Sequence, residues 1–149
     1  MRILVQRSKE SNVSINNEIV GKINKGYVIL VGFKNTDKVE DIDYLINKLL
    51  NLRIFEDENG NMNKNIKEAD GEILSISQFT LYSDTKKGNR PSFKEAMEFE
   101  KAKSFYELFN KKLKEYIHVE TGIFGENMVV NISNDGPVTI MLESRNSND

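Results

Sequence analysis

The seven residues Tyr27–Phe33 read YVILVGF, an apolar run with no charge in it. A strand with one face in water alternates apolar and polar residues, because successive side chains point to opposite faces. A run without that alternation, short and β-branched, reads as a strand buried on both faces. Such a strand cannot stand at the surface of a small domain. Other elements have to cover it from both sides, and the rest of the chain must supply them.

The flanking pattern does so. Residues 2–7 and 13–15 read as strands, and an Asn16-Asn17 turn leads into another through Ile23. Asn24-Lys25-Gly26 signals the turn before Tyr27. Beyond Phe33, Ile42, Leu45, Leu49 and Leu52 recur at helical spacing, with Asp37 and Glu40 as a capping pair. Arg53-Ile54-Phe55 leads into the polar loop Glu56–Asn61. Gly71–Tyr82, GEILSISQFTLY, is rich in β-branched and aromatic residues and predicts a long central strand. Behind Pro91, Ser92-Phe93-Lys94-Glu95 forms a capping box opening a helix to about Tyr116, buried along Phe99, Ala102, Phe105, Phe109 and Leu113. Strands near 117–121, 128–133 and 138–143 and a polar tail, 144–149, complete the chain. Neither a repeat nor a linker divides residues 1–149. The expectation is a single α+β domain: an antiparallel sheet or partial barrel with two main helices.

Composition narrows the chemistry. The 149 residues include no cysteine and one histidine, His118. Thiolate catalysis, disulfides and cysteine metal sites are excluded, and a reducing, cytoplasmic setting is expected. No HExxH-like spacing occurs, so no metal and no cofactor are expected, and a histidine-based triad is disfavoured. No apolar run reaches the ~18 residues of a membrane helix. The start, MRILVQRS, has too short an apolar run for a secretory signal. Net charge is -2 and the pI about 5.6. A broad basic face for duplex nucleic acid is thereby excluded, and any such contact must be local. The local candidate is Lys86-Lys87-Gly88-Asn89-Arg90, with Lys94 beyond it; on charge alone such a cluster is usually a solvated loop.

Two stretches carry polar groups in unusual places. On a regular strand, Gln78, Thr80 and Tyr82 would share one face, with Ser77, Phe79 and Leu81 on the other. The polar set either faces solvent or forms a small pocket where a backbone N–H and a side chain bind an oxyanion. The second stretch is Asn134–Ile140, NDGPVTI, between two strand-like segments. By itself, Gly-Pro there is a turn.

Taken together these stretches resemble the D-aminoacyl-tRNA deacylase family, long called D-tyrosyl-tRNA deacylase. SQFTLYSDT (77–85) is similar to its SQxxT signature and NDGPVT to its Gly-Pro signature. MRILVQR, LNLRIFED with Met62-Asn63, KKGNRPSF, and ETGIFG with Met128 match in order, from residue 1 to about 143. Ser83 and Ser8 depart from the usual residues, outside both signatures. The resemblance implies hydrolysis of the ester joining a D-amino acid to the 3′ end of tRNA, a proofreading of translation. It implies a homodimer in which a cis Gly136–Pro137 peptide enters the partner's site. Catalytic positions would be Ser77, Gln78, Phe79 and Thr80, with Phe79 N–H on the oxyanion, Gln78 on the ribose or substrate and Thr80 positional. Gly136, Pro137, Met128 and Phe124 would bind substrate and select chirality. Lys86, Lys87 and Arg90 would hold tRNA phosphates, and Phe93 would stack near the terminal adenine. Glycyl esters would escape rejection, since glycine has no side chain to exclude. Two other readings compete: an RRM-like binding module, against which the acidic pI and the opposed faces of Phe79 and Tyr82 count, and a structural dimer whose Gly-Pro is only a turn.

Overall fold

The computed structural model describes residues 1–144. Five strands form the main sheet in the order β10-β1-β4-β7-β8: β1 (Arg2–Ser8), β4 (Gly26–Gly32), β7 (Glu72–Ser77), β8 (Val119–Thr121) and β10 (Asn134–Glu143). A three-stranded sheet, β3-β2-β9, comprises β2 (Ser11–Ile15), β3 (Glu18–Ile23) and β9 (Val129–Asn131). β5 (Phe55–Glu56) and β6 (Met62–Lys64) make a small hairpin. Two helices, α1 (Val39–Asn51) and α2 (Phe99–Leu113), complete the domain.

β4 lies between two cores, as its unbroken apolar run requires. Tyr27, Ile29, Val31 and Phe33 enter the larger one with Leu45 and Leu49 of α1 and Phe109 and Leu113 of α2. Val28 and Leu30 face the other way and pack with Val13, Ile23 and Ile76 under the smaller sheet. The Asn16-Asn17 turn joins β2 to β3 with both residues at positive φ, 51° and 66°, a conformation asparagine tolerates well.

The main sheet is mixed rather than antiparallel, and it does not close into a barrel. β4 pairs in parallel with β7, and β7 with β8. Each pair is joined through a helix, and a crossover connection returns a strand in the same direction. β1 is antiparallel to both β4 and β10.

Other boundaries differ from the sequence expectations. The long strand over 71–82 ends at Ser77, and Phe79–Tyr82 is a 3-10 turn. The turn folds over Gly32, where a Cβ would lie 2.9 Å from the Gln78 carbonyl and 3.0 Å from Leu81 Cβ. The alternating faces assigned to residues 78–82 therefore do not exist. The second helix begins at Phe99, because Ser92 is held in a backbone bridge to Asp84, at 2.9 and 2.8 Å. Glu98 caps it instead, accepting from Lys101 N–H at 2.7 Å. Asp37 does not cap α1. Its carboxylate accepts from the Met1 ammonium and from Lys34 N–H, both at 2.6 Å. NDGPVTI is part of β10 rather than a link between strands. Ser144 is buried, with its N–H on Met1 O at 3.0 Å; the remaining tail residues, 145–149, lie outside the described residues.

Candidate active site

A cleft of ≈ 690 Å³ opens where β7 ends. It is built by three segments: the Ser77-Gln78-Phe79 corner, the approach to α2 (Phe93, Met97, Phe99), and the loop after β8 (Phe124, Met128). The corner is fixed from below by Gln78 N–H donating to Val31 O at 2.7 Å. α2 is fixed to the same strand by Tyr106 OH, which donates to Ser75 O at 2.7 Å. Burial pushes that phenol above its ordinary pKa, so it stays protonated as a donor.

Two aromatic pairs stand among the lining residues. Phe79 meets Phe93 edge-on with ring centroids 5.0 Å apart, and Phe99 meets Phe124 at 5.1 Å. Phe79 and Phe99 are each 56% exposed, far more than packing alone would leave them. Gly122 makes room for Met128, since a Cβ there would lie 2.5 Å from the Met128 sulfur.

The structure thus gathers Ser77, Gln78, Phe79, Phe93, Phe124 and Met128 into one cleft. Thr80 stands outside its lining, exposed, with Oγ1 accepting a short hydrogen bond from Gln78 Nε2. Among the described residues no histidine or carboxylate hydrogen-bonds to Thr80. Phe79 heads the 3-10 turn, where the leading N–H groups lack partners within the turn. Lys86, Lys87 and Arg90 sit on an exposed loop whose neck is the Asp84–Ser92 bridge. His118 lies away from the cleft lining, exposed and 2.8 Å from Glu120.

Gly136 and Pro137 do not enter this cleft. They are exposed on the edge strand β10, joined by a cis peptide, with Gly136 at φ 122°. The register places Asn134 opposite Ser8, Ser8 opposite Gly26 and Gly26 opposite Glu72, at the far end of β7 from Ser77. Five residues of strand rise, about 17 Å, and three strand spacings, about 14 Å, separate the two sites. Sequence reasoning missed Arg7, which is buried beside this segment. Its guanidinium donates to Ile54 O at 2.8 Å and to Asp135 O at 3.2 Å. The sequence carries no signal for it, because an arginine at the end of a strand is ordinarily exposed.

Fold and site together define a mixed α+β domain with an aromatic-lined cleft at a strand terminus, where the amides of Gln78 and Asn127 and the carboxylates of Glu98 and Glu126 supply the polar side chains. Comparison with known proteins makes this specific. The D-Tyr-tRNA(Tyr) deacylase family matches residues 4–143. A D-aminoacyl-tRNA deacylase of Clostridium novyi (strain NT) is 55% identical over 97% of this chain and 98% of its own length. The chain belongs to this family, and it is an enzyme of the ester-hydrolase class. Among solved structures it resembles a c-Myc DNA unwinding element binding protein, with TM-score 0.92 and 40% identity over 97% of this chain and 99% of that one. A probable eukaryotic D-amino acid tRNA deacylase shares the fold at TM-score 0.77 and 17% identity, covering 95% of this chain and 98% of that one.

Proposed function

We propose that this protein hydrolyses the ester of D-aminoacyl-tRNA and of glycyl-tRNA, without a metal, as a homodimer whose Gly136–Pro137 segments complete each other's clefts. One observation carries the reading. Ser77, Gln78 and Phe79 of the first family signature line a cleft, while Gly136 and Pro137 of the second are exposed on the opposite edge and end of the same sheet. Only a second copy can bring the two together.

The chemistry needs little from the side chains. A water oxygen bonds to the ester carbonyl, the bond to the ribose 3′-oxygen breaks, and that oxygen takes a proton, leaving free amino acid and tRNA. The neighbouring 2′-hydroxyl of the substrate assists the water. The Phe79 N–H faces the oxyanion as charge develops on it. Gln78 orients the ribose. Thr80 positions Gln78 and is not a nucleophile, because activation would need an adjacent base. Phe93 and Phe79 bind near the terminal adenine, with Lys86, Lys87 and Arg90 on the phosphates behind it.

Chirality is read by main chain. A wall of Gly136 and Pro137 stands where an L side chain would project and leaves a D side chain free. Backbone is stiffer than side chain, and glycine allows close approach because it has no Cβ. Glycyl esters pass for the same reason. The setting is translation in the cytoplasm, where D-esters on tRNA arise; no helix among the described residues is long and apolar enough to cross a membrane.

The test is deacylation of D-tyrosyl-, L-tyrosyl- and glycyl-tRNA side by side with a chelator present. Loss of the D and glycyl esters with retention of the L ester is expected. Equal loss of D and L esters would refute the wall, and loss of none would refute the activity.

A further inference from the structure

A second groove, of ≈ 540 Å³, runs along the outer side of α2 and the segment that follows β8. Phe124 lines both this groove and the cleft, so the two adjoin across that residue. Lys103, Lys111 and Lys114 line it and are exposed. Spaced at eight and three residues, they lie along one side of the helix over about 16 Å. Among the described residues no carboxylate lies within ion-pair distance of any of the three, whereas the neighbouring Lys112 is tied to Asp43 at 2.8 Å. Glu107 is the groove's one acidic side chain. The helix dipole accounts for cations in the last turn, but not for Lys103 near the opposite end.

We propose that this groove seats the sugar–phosphate backbone of the paired acceptor stem of tRNA, behind the aminoacylated end in the cleft; the choice of tRNA rests on the deacylase reading above. Lys103, Lys111 and Lys114 meet its phosphates.

The test is fluorescence anisotropy of an uncharged acceptor-stem RNA hairpin with the wild-type protein and a Lys103→Glu/Lys111→Glu/Lys114→Glu variant at several salt concentrations. Binding should weaken at least about tenfold, and the salt slope should fall by about two to three, near one per lost phosphate contact. The three Lys→Gln changes should act in the same direction with a smaller loss. Unchanged RNA affinity in the charge-reversed protein overturns the groove. Wild type and the charge-reversed variant should cleave D-tyrosyl-adenosine, which has no stem, at the same rate. If wild type cleaves neither that ester nor D-tyrosyl-tRNA, the deacylase reading fails, while the hairpin titration still decides the groove.

Discussion

Arg7 holds the carbonyl of Asp135. The two residues are far apart in the chain, yet Arg7 Nε donates to Asp135 O at 3.2 Å while Nη1 reaches Ile54 O at 2.8 Å. One planar guanidinium thus ties the start of the Gly-Pro segment to the end of the α1 connection. A lysine cannot span both carbonyls, since its ammonium is a single point. Arg7→Lys is expected to lower stability by about 1–3 kcal/mol through the orphaned carbonyl. It should also raise L-ester cleavage relative to D-ester cleavage. Thermal melts and paired deacylation assays check the two effects; unaltered discrimination would separate Arg7 from the wall.

Gly136 leaves no room for a side chain. At φ 122°, an added Cβ would lie 2.9 Å from Val138 Cγ2 and 3.0 Å from Arg7 Nη2. Gly136→Ala should displace the segment by the order of an ångström and cut kcat/KM on D-esters by about 100-fold. Assays alongside circular dichroism distinguish this from unfolding.

Thr80 offers a sharper contrast. As a positioning residue bonded to Gln78, its replacement by alanine should reduce kcat by less than about tenfold, whereas removing a nucleophile costs about 10⁴-fold or more. Complete loss of turnover with substrate still bound would make Thr80 the nucleophile.

Lys87 projects from the exposed loop beside the cleft. Lys87→Glu should raise KM and flatten its dependence on salt by about one unit of slope, with kcat nearly unchanged. An unmoved KM would remove this loop from tRNA binding.

His118 is the only imidazole and pairs with Glu120 at the opposite end of β7 from the cleft. His118→Asn should leave both kcat/KM and its pH profile unaltered. A profile that loses an inflection in the variant would place the histidine in the reaction.

How much of this was legible in the sequence depends on the range of the forces involved. The burial of Tyr27–Phe33 on both faces was readable, because an unalternating apolar run has only one comfortable environment. So were the two helices and, of the stripe expected along Phe99–Leu113, Ala102, Phe109 and Leu113, since periodicity is a local property; Phe105 is half-buried, and Phe99, expected to be buried, is exposed at the cleft. Resemblance singled out Ser77, Gln78, Phe79, Phe93, Phe124 and Met128 before any geometry placed them in one cleft.

Tertiary structure alone decided the rest. A strand pattern carries no mark of whether its partner runs parallel, so β4–β7–β8 looked like part of an antiparallel sheet. β-propensity continued smoothly through Phe79–Tyr82, yet packing over Gly32 turned the chain out of the sheet at Ser77. Ser92 had the residues of a capping box, but its bridge to Asp84 held it extended and passed the cap to Glu98. Arg7 read as an ordinary strand residue until Asp135 and Ile54 closed around it. Each of these outcomes turns on contacts between distant residues, and local sequence encodes propensity but not which distant groups will compete for the same backbone.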